Sequence, residues 1–162
     1  MSIQAAIGYA HGLDGRETAL QAAHQALDRI GNISPDRAMV FFSAEYAHQQ
    51  VAVAVSSLLG ATPVWGFSAP ALLYNSAPRE RSVLVALLAG DLKAQAAYLA
   101  PSRTLSRASE QSLVPGGAVL QPLADALLIG ADGYGADIST QLSQIPAGLV
   151  HIYGALAGGD SY

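Results

Sequence analysis

A weak internal repeat constrains the fold of this chain more than any other feature. The stretch 38–75 reads as an apolar run, a short polar corner, a helix and a second apolar run, and the stretch 126–162 reads the same way about 88 positions later. At this offset Tyr46 matches Tyr134, and Gly66 matches Gly154. The repeat predicts two β-helix-β units, each ending in a glycine corner. Because α/β proteins hold ligands beyond the carboxyl ends of strands, these corners are candidate binding sites.

The composition predicts one compact, soluble domain. A length of 162 residues suits a single core. Of these residues, 51% are hydrophobic and 12% are charged, and the charged share is about half the usual value. So low a charge also fits a surface that further protein covers. The net charge of −4, with Lys93 as the single lysine, argues against nucleic-acid binding, which needs a basic stripe.

Several classes of protein are excluded by what the chain lacks. No apolar run is long enough to span a membrane, and the first residues lack the pattern of a signal peptide, so a cytoplasmic protein is predicted. The absence of cysteine excludes disulfides, thiolate zinc sites and cysteine nucleophiles. The four histidines are isolated, so we expect neither a metal nor another cofactor. His11 and His48 each follow a predicted strand and could reach the ligand-binding edge.

Hydrophobic periodicity predicts alternating strands and helices. Asp14 precedes a helical pattern that Gly31 ends. The predicted strands are 3–9, 38–42, 62–66, 126–130 and 149–153, and the predicted helices follow Asp14 and cover 47–59 and 137–142. A hairpin is predicted over 81–99, with its turn at Gly90-Asp91, and a helix over 93–99 is the alternative to its second strand. The predicted fold class is therefore α/β, with a mainly parallel central sheet, an added antiparallel hairpin and helices packed on the faces of the sheet.

Two glycine motifs fail as nucleotide-binding loops. Gly154 and Gly159 have the spacing of a phosphate-binding loop, but Asp160 stands where the lysine belongs and would repel phosphate. Gly133 begins a dinucleotide-type motif in which Ile138 occupies the position of the last glycine. Tight turns or a small-ligand pocket remain the two interpretations of these corners.

A serine hydrolase stays open as an alternative. Gly66-Phe67-Ser68 resembles a nucleophile elbow, and Asp132 and His151 follow in the chain order of α/β-hydrolases. The elbow needs a helix directly after the serine, and the segment that follows is short for one. Under the repeat, Ser43 and Asp132 occupy equivalent corners, where each either contacts a ligand or caps a helix.

Three parts of the chain resemble the N-terminal FIST domain of bacterial signalling proteins. They are the opening strand and helix at 6–26, the strand-helix-strand segment 39–69 with the strand at 82–87, and the segment 125–129 leading to 153–160. The last part is similar to the family's G-G-x-A-G-D corner, from which Ala155 departs.

The resemblance implies a sensory domain that binds amino acids or related metabolites, without catalytic residues. It implies a single domain over 1–162, a fragment of a longer protein that continues C-terminally into a second FIST domain or a signalling output domain. A homodimer is a candidate assembly, and a non-catalytic assembly module is a further alternative.

The resulting hypothesis is small-molecule sensing without chemistry, with no nucleic-acid or membrane partner. The predicted ligand-binding residues supply backbone access, apolar contact or oxygen atoms. They are Ser43, Gly66, Phe67, Ser68, Asp132, Gly154 and Asp160.

Overall fold

A computed structural model describes residues 3–75, 77–90, 127–132 and 152–157 of the chain. In chain order, its elements are β1 (Gln4–His11), α1 (Gly15–Ile30), β2 (Arg37–Ser43), α2 (His48–Leu59), β3 (Val64–Ala69), β4 (Leu72–Tyr74), β5 (Ala77–Arg79), β6 (Ser82–Ala89), β7 (Leu127–Asp132) and β8 (Ile152–Ala157).

Local signals mark both ends of α1 but only the end of α2. The Asp14 carboxylate accepts the Glu17 N–H at 2.8 Å and caps α1, as its sequence position predicts. Gly31, with a φ of 72°, ends that helix. Helix α2 follows Ala47, which has no side-chain acceptor, and ends at Gly60 with a φ of 62°. Its first turn carries no acidic residue.

The central sheet is mostly antiparallel, so the predicted mainly parallel sheet is wrong. Four strands lie in the order β1-β6-β2-β3. Strand β6 is antiparallel to both β1 and β2, and only β2 and β3 are parallel. The connection explains the difference, because a short β4–β5 hairpin, rather than a crossover helix, joins β3 to β6. The chain therefore enters β6 from the end at which β3 stops and runs back through the sheet.

The predicted hairpin over 81–99 is also wrong as a pairing of β6. Strand β6 confirms its first half, but β1 and β2 occupy both edges of β6 along its length. No edge of β6 is left for a returning strand. The predicted return segment and the predicted helix over 137–142 lie outside the described residues.

The chain divides into two compact units, of which the first comprises Met1–Ala94 and Ala157–Tyr162. The core of this first unit lies between one face of the sheet and the two helices. The buried side chains of Val40, Val85 and Leu87 join one cluster with the alanines of α1 and with Val51 and Val55 of α2. The helices also contact each other, so the two helices described here pack side by side. The prediction of helices packed on the faces of the sheet is therefore wrong for the two described helices, which share one face. Among the described residues, no helix has the length and apolar character needed to cross a membrane.

The glycines of the predicted corners lie within strands. Gly66 is the third residue of β3, and Gly154 is the third residue of β8. A side chain at position 66 would place its Cβ 1.8 Å from the Val40 carbonyl oxygen, so Gly66 allows β3 to approach β2. Glycine is therefore needed at position 66 for close packing of the two backbones, rather than for a turn.

The second compact unit comprises Gln95–Leu156. Strands β7 and β8 pair with each other in a separate two-stranded sheet. Strands β3 and β8 begin and end 88 positions apart, which is the offset of the sequence repeat.

Candidate ligand-binding site

Three strands end at one edge of the sheet in the first unit. Because β1 and β2 both run antiparallel to β6, and β3 runs parallel to β2, the carboxyl ends of all three point the same way. Their last residues are His11, Ser43 and Ala69. Both α1 and α2 begin from this edge, which we call the carboxyl edge. In α/β folds such an edge is where ligands bind.

A polar cleft of about 360 Å³ opens beside the β4–β5 hairpin at the carboxyl edge. Its lining residues come from the end of β1 and from the hairpin, and they are His11, Ala71, Pro78, Arg79 and Glu80. We call it the hairpin cleft. His11, Arg79 and Glu80 are exposed, so their polar groups are accessible to a ligand.

Opposite charges in the hairpin cleft are left unpaired. Arg79 and Glu80 both line it, yet neither side chain has an ion pair or hydrogen bond within the described part of the chain. The nearby ion pair joins Arg81 and Glu45 instead, at 3.6 Å. A cation and an anion that do not neutralise each other are available to a ligand that carries both charges.

Two buried serines hold the turn that contains Arg79 and Glu80 through hydrogen bonds. The Ser43 hydroxyl accepts the Ser82 N–H at 3.0 Å, and the Ser82 hydroxyl donates to the Arg79 carbonyl at 3.0 Å. Ser43 and Ser82 are completely buried. Ser43 therefore joins β2 to β6 and positions the backbone of Arg79.

Arg81 holds the same turn in a strained conformation. Its φ is 46°, a left-handed value that few residues other than glycine adopt. The Arg81 N–H donates to the Glu45 carboxylate at 3.2 Å, and the Arg81 carbonyl accepts the Gly12 N–H at 3.0 Å. These bonds attach the turn to the loops that follow β1 and β2. Strained residues held in this way are enriched at ligand-binding sites.

An aromatic stack attaches the hairpin to β1. The rings of Tyr9 and Tyr74 lie 4.1 Å apart between centroids and are nearly parallel. Tyr9 and His11 are two positions apart in β1 and so lie on the same face of the strand. Their rings lie 6.4 Å apart between centroids. The hairpin is therefore held against the strand that supplies His11. The Tyr9 hydroxyl oxygen is buried without a hydrogen-bond partner in the described part of the chain.

The predicted site residues of β3 lie on opposite faces of that strand. Gly66 and Ser68 lie on the helix-facing side of β3, because they pair with Val40 and Phe42. Phe67 lies on the opposite face, where it packs against Phe41 at 5.0 Å.

The remaining predicted residues belong to the later part of the chain. Asp132 is the last residue of β7, and Gly154 lies in β8. Asp160 and His151 lie outside the described residues.

Ser68 hydrogen-bonds a histidine that the sequence did not connect with it. The His48 Nε2 lies 3.0 Å from the Ser68 Oγ. His48 is the first residue of α2, and Ser68 is the residue before the end of β3, so both lie near the carboxyl edge. Ser68 is within a strand and a hairpin follows, so the strand-turn-helix of a nucleophile elbow is not formed here.

Arg79 and Glu80 were missed by the sequence analysis, although one signal marks them. The chain has no aspartate, glutamate, lysine or arginine between Glu45 and Arg79. The two ends of this uncharged stretch, Glu45 and Arg79, lie at the same turn, because Glu45 accepts a hydrogen bond from the Arg81 N–H.

Removing the Ser43 hydroxyl is expected to destabilise the carboxyl edge. Ser43→Ala leaves the Ser82 N–H buried without its acceptor, which lowers the free energy of unfolding by about 1–3 kcal/mol. Ser57→Ala is the matched control, because Ser57 is an exposed residue whose hydroxyl donates to the Ala54 carbonyl of its own helix. Urea denaturation of both variants measures the difference. Equal stability of the two variants would mean that Ser43 is not structural.

Comparison with known proteins identifies the family. A search of curated proteins finds no match to the chain. The family model of the FIST N domain matches residues 36–162, more than half of the chain, which confirms the resemblance seen in the sequence. The match includes β2, α2 and every described element that follows. The chain therefore belongs to the FIST N domain family, whose members are generally sensory domains of signal-transduction proteins.

Proposed function

We propose that this domain senses a free amino acid, or a related zwitterionic metabolite, in the hairpin cleft and performs no chemistry on it. One observation carries the proposal: Arg79 and Glu80 line the same cleft without neutralising each other. An amino acid presents a carboxylate and an ammonium group close together. It needs one group of each charge, and the cleft supplies both.

Each side chain matches one end of such a ligand. A guanidinium group binds a carboxylate through two parallel hydrogen bonds, which favours Arg79 for the ligand carboxylate. The Glu80 carboxylate accepts hydrogen bonds from the ligand ammonium, and His11 adds a polar group on the β1 side. A volume of about 360 Å³ is near the lower end for small-molecule sites, which suits a ligand of this size.

The hairpin gives the bound ligand a route to a signal. It connects β3 to β6, and its turn contacts the loops after β1 and β2. A ligand held by Arg79, Glu80 and His11 joins the hairpin to β1 and favours one arrangement of both. We propose that a C-terminal FIST domain or a signalling output domain reads this arrangement.

Thermal melting with a panel of L-amino acids tests the proposal. A ligand at 100 times its dissociation constant stabilises the folded chain by about 2.7 kcal/mol, which a melt detects readily. Arg79→Gln and Glu80→Gln should each weaken binding by roughly tenfold to a hundredfold, because each removes a charge-assisted contact. Arg37→Gln and Asp28→Asn are the matched controls, since these residues lie away from the carboxyl edge and should leave binding unchanged.

Modified ligands assign the two ends. A methyl ester of the bound amino acid removes the carboxylate charge, so its affinity should not fall further in Arg79→Gln. An N-acetyl derivative removes the ammonium group, so its affinity should not fall further in Glu80→Gln. The proposal fails if no amino acid raises the melting temperature, or if the two derivatives respond alike to both variants.

A serine hydrolase is the second candidate function, since the Ser68 hydroxyl lies 3.0 Å from a histidine nitrogen. This histidine is His48, whereas the predicted set is Ser68, Asp132 and His151, of which His151 lies outside the described residues. A fluorophosphonate probe separates the two functions. Labelling of the wild-type chain that is lost in Ser68→Ala would support the hydrolase and contradict sensing without chemistry.

A further inference from the structure

The two outer strands of the four-stranded sheet differ in how their free edges are treated. Strand β1 is covered by side chains of α1. The Arg29 guanidinium donates to the Ile7 carbonyl, and the Tyr9 N–H donates to the Gln25 side chain at 3.4 Å. The outward backbone groups of β1 are therefore partly satisfied within the chain. Covering an edge in this way prevents it from pairing with another strand.

Within the residues that the structure describes, strand β3 has no comparable cover. The carbonyls of Pro63 and Ala69 accept N–H groups of β2 and its flanking residue at 3.0 and 2.8 Å. Because backbone groups alternate along a strand, Val64, Gly66 and Ser68 direct their N–H and C=O groups away from β2. No hydrogen bond from the described part of the chain reaches these outward groups.

The surface around the β3 edge also lacks charge. The uncharged stretch between Glu45 and Arg79 contains all of α2 and β3. Ala52, Val53 and Ser56 of α2 are exposed, and Val53 retains 59% of its accessible surface. Charged side chains are a common protection of edge strands, and α2 and β3 contribute none to this edge.

Charge also determines what kind of partner fits this edge. The chain has a net charge of −4, so two copies repel each other over most of their surface. A charge-free edge is where that repulsion is weakest. A basic partner would gain nothing from an edge without acidic groups, whereas a second copy presents a matching uncharged edge.

We propose that two copies of this chain pair through their β3 edges, antiparallel and related by a two-fold axis at Gly66. In this register the outward groups of Gly66 bond those of Gly66 in the second copy, and Val64 pairs with Ser68. Trp65 then lies directly opposite Phe67 of the second copy in a non-hydrogen-bonded pair, where side chains are closest. Each dimer contains two such aromatic pairs by symmetry.

An apolar cleft next to the β3 edge also favours this surface as the dimer interface. It has a volume of about 240 Å³ and lies between α2 and β3. Its lining is Val40, Phe42, Val51, Ala52, Ser56, Val64 and Gly66. The cleft is open in a single copy, and pairing of the β3 edges brings the α2 flank of the second copy next to it.

Sedimentation velocity of the full chain over a range of concentrations tests this dimer. Ala52→Glu places a charge on the flank of α2 beside β3, so like charges meet across the two-fold axis. We expect its dimer dissociation constant to rise at least tenfold. Leu13→Glu adds the same charge at a residue that is 83% exposed in the loop after β1 and should leave the constant unchanged.

Amide hydrogen exchange of the wild-type chain gives a second test that needs no variant. The N–H groups of Val64, Gly66 and Ser68 should exchange more slowly as concentration rises, whereas those of β1 should not change. A chain that stays monomeric at every concentration overturns the proposal. So does a dimer that Ala52→Glu and Leu13→Glu weaken equally, or one that leaves the three β3 amides unprotected. Ligand binding in the hairpin cleft is independent of each of these outcomes.

Discussion

Gly8→Ala is expected to be the most destabilising single methyl addition in the described part of the chain. A Cβ at position 8 would lie 1.8 Å from the Ala22 carbonyl oxygen and 2.6 Å from the Ala26 backbone nitrogen. Both atoms belong to the backbone of α1, so no side chain can rotate away. Helix α1 must then move off β1, which loosens the buried alanine contacts between them. We expect the free energy of unfolding to fall by about 3 kcal/mol, the upper end for overpacking.

Gly60→Ala is the control for this prediction. Gly60 ends α2 with a φ of 62°, and nothing lies within 4 Å of an added Cβ. Its cost is therefore conformational only, about 1–2 kcal/mol. Thermal melting compares the two, and Gly8→Ala should lower the melting temperature by roughly 6–12 °C. If the melting temperature of Gly8→Ala were equal to or higher than that of Gly60→Ala, the close contact between β1 and α1 would be refuted.

Gly66→Ala is expected to have the next largest effect, through the sheet rather than the ligand. An added Cβ would lie 1.8 Å from the Val40 carbonyl oxygen of β2. The two parallel strands must separate locally, which should lower the free energy of unfolding by about 2–3 kcal/mol. Because Gly66 does not line the hairpin cleft, the affinity of the folded variant for an amino acid should stay unchanged.

This variant separates two roles for the same residue. The sequence predicted Gly66 as a ligand-binding corner, whereas its place in β3 makes it a packing requirement. Urea denaturation reports stability, and calorimetric titration below the melting temperature reports affinity. A variant of normal stability that no longer binds amino acids would restore the ligand-binding role of Gly66.

The elements with local signals were predicted well. Asp14 and Gly31 bound α1 because a capping carboxylate and a left-handed glycine act on neighbouring backbone groups, which a sequence displays directly. Strand β2 and helix α2 followed from apolar runs of sufficient length. The family was also recognised from short apolar motifs, and the FIST N match confirms it.

The direction of β6 could not be read in the same way. It depends on the connection after β3, and the strands β4 and β5 have three residues each, too few to show a period. An apolar strand buried on both faces, such as β6, looks the same whether its neighbours are parallel or antiparallel. The β4–β5 hairpin therefore decides the topology, and its short strands carry no distinct sequence pattern.

The ligand-binding residues predicted from the sequence stay a prediction. The sequence pointed to the edge beyond the strands, where His11 ends β1 and Ser43 ends β2. Ser43, however, is fully buried and is used by Ser82. Arg79 and Glu80 carry no motif, because two exposed charges in a turn resemble any solvated turn until the cleft brings them together.

Two-dimensional NMR during titration with the amino acid that most raises the melting temperature tests whether that ligand binds in the hairpin cleft. We expect the largest backbone shifts on Arg79, Glu80 and His11. We also expect the Arg79 guanidinium resonance to move, while Ala52 and Val64 beside the other cleft stay unchanged. Shifts confined to the cleft between α2 and β3, with none at Arg79 or Glu80, would contradict it.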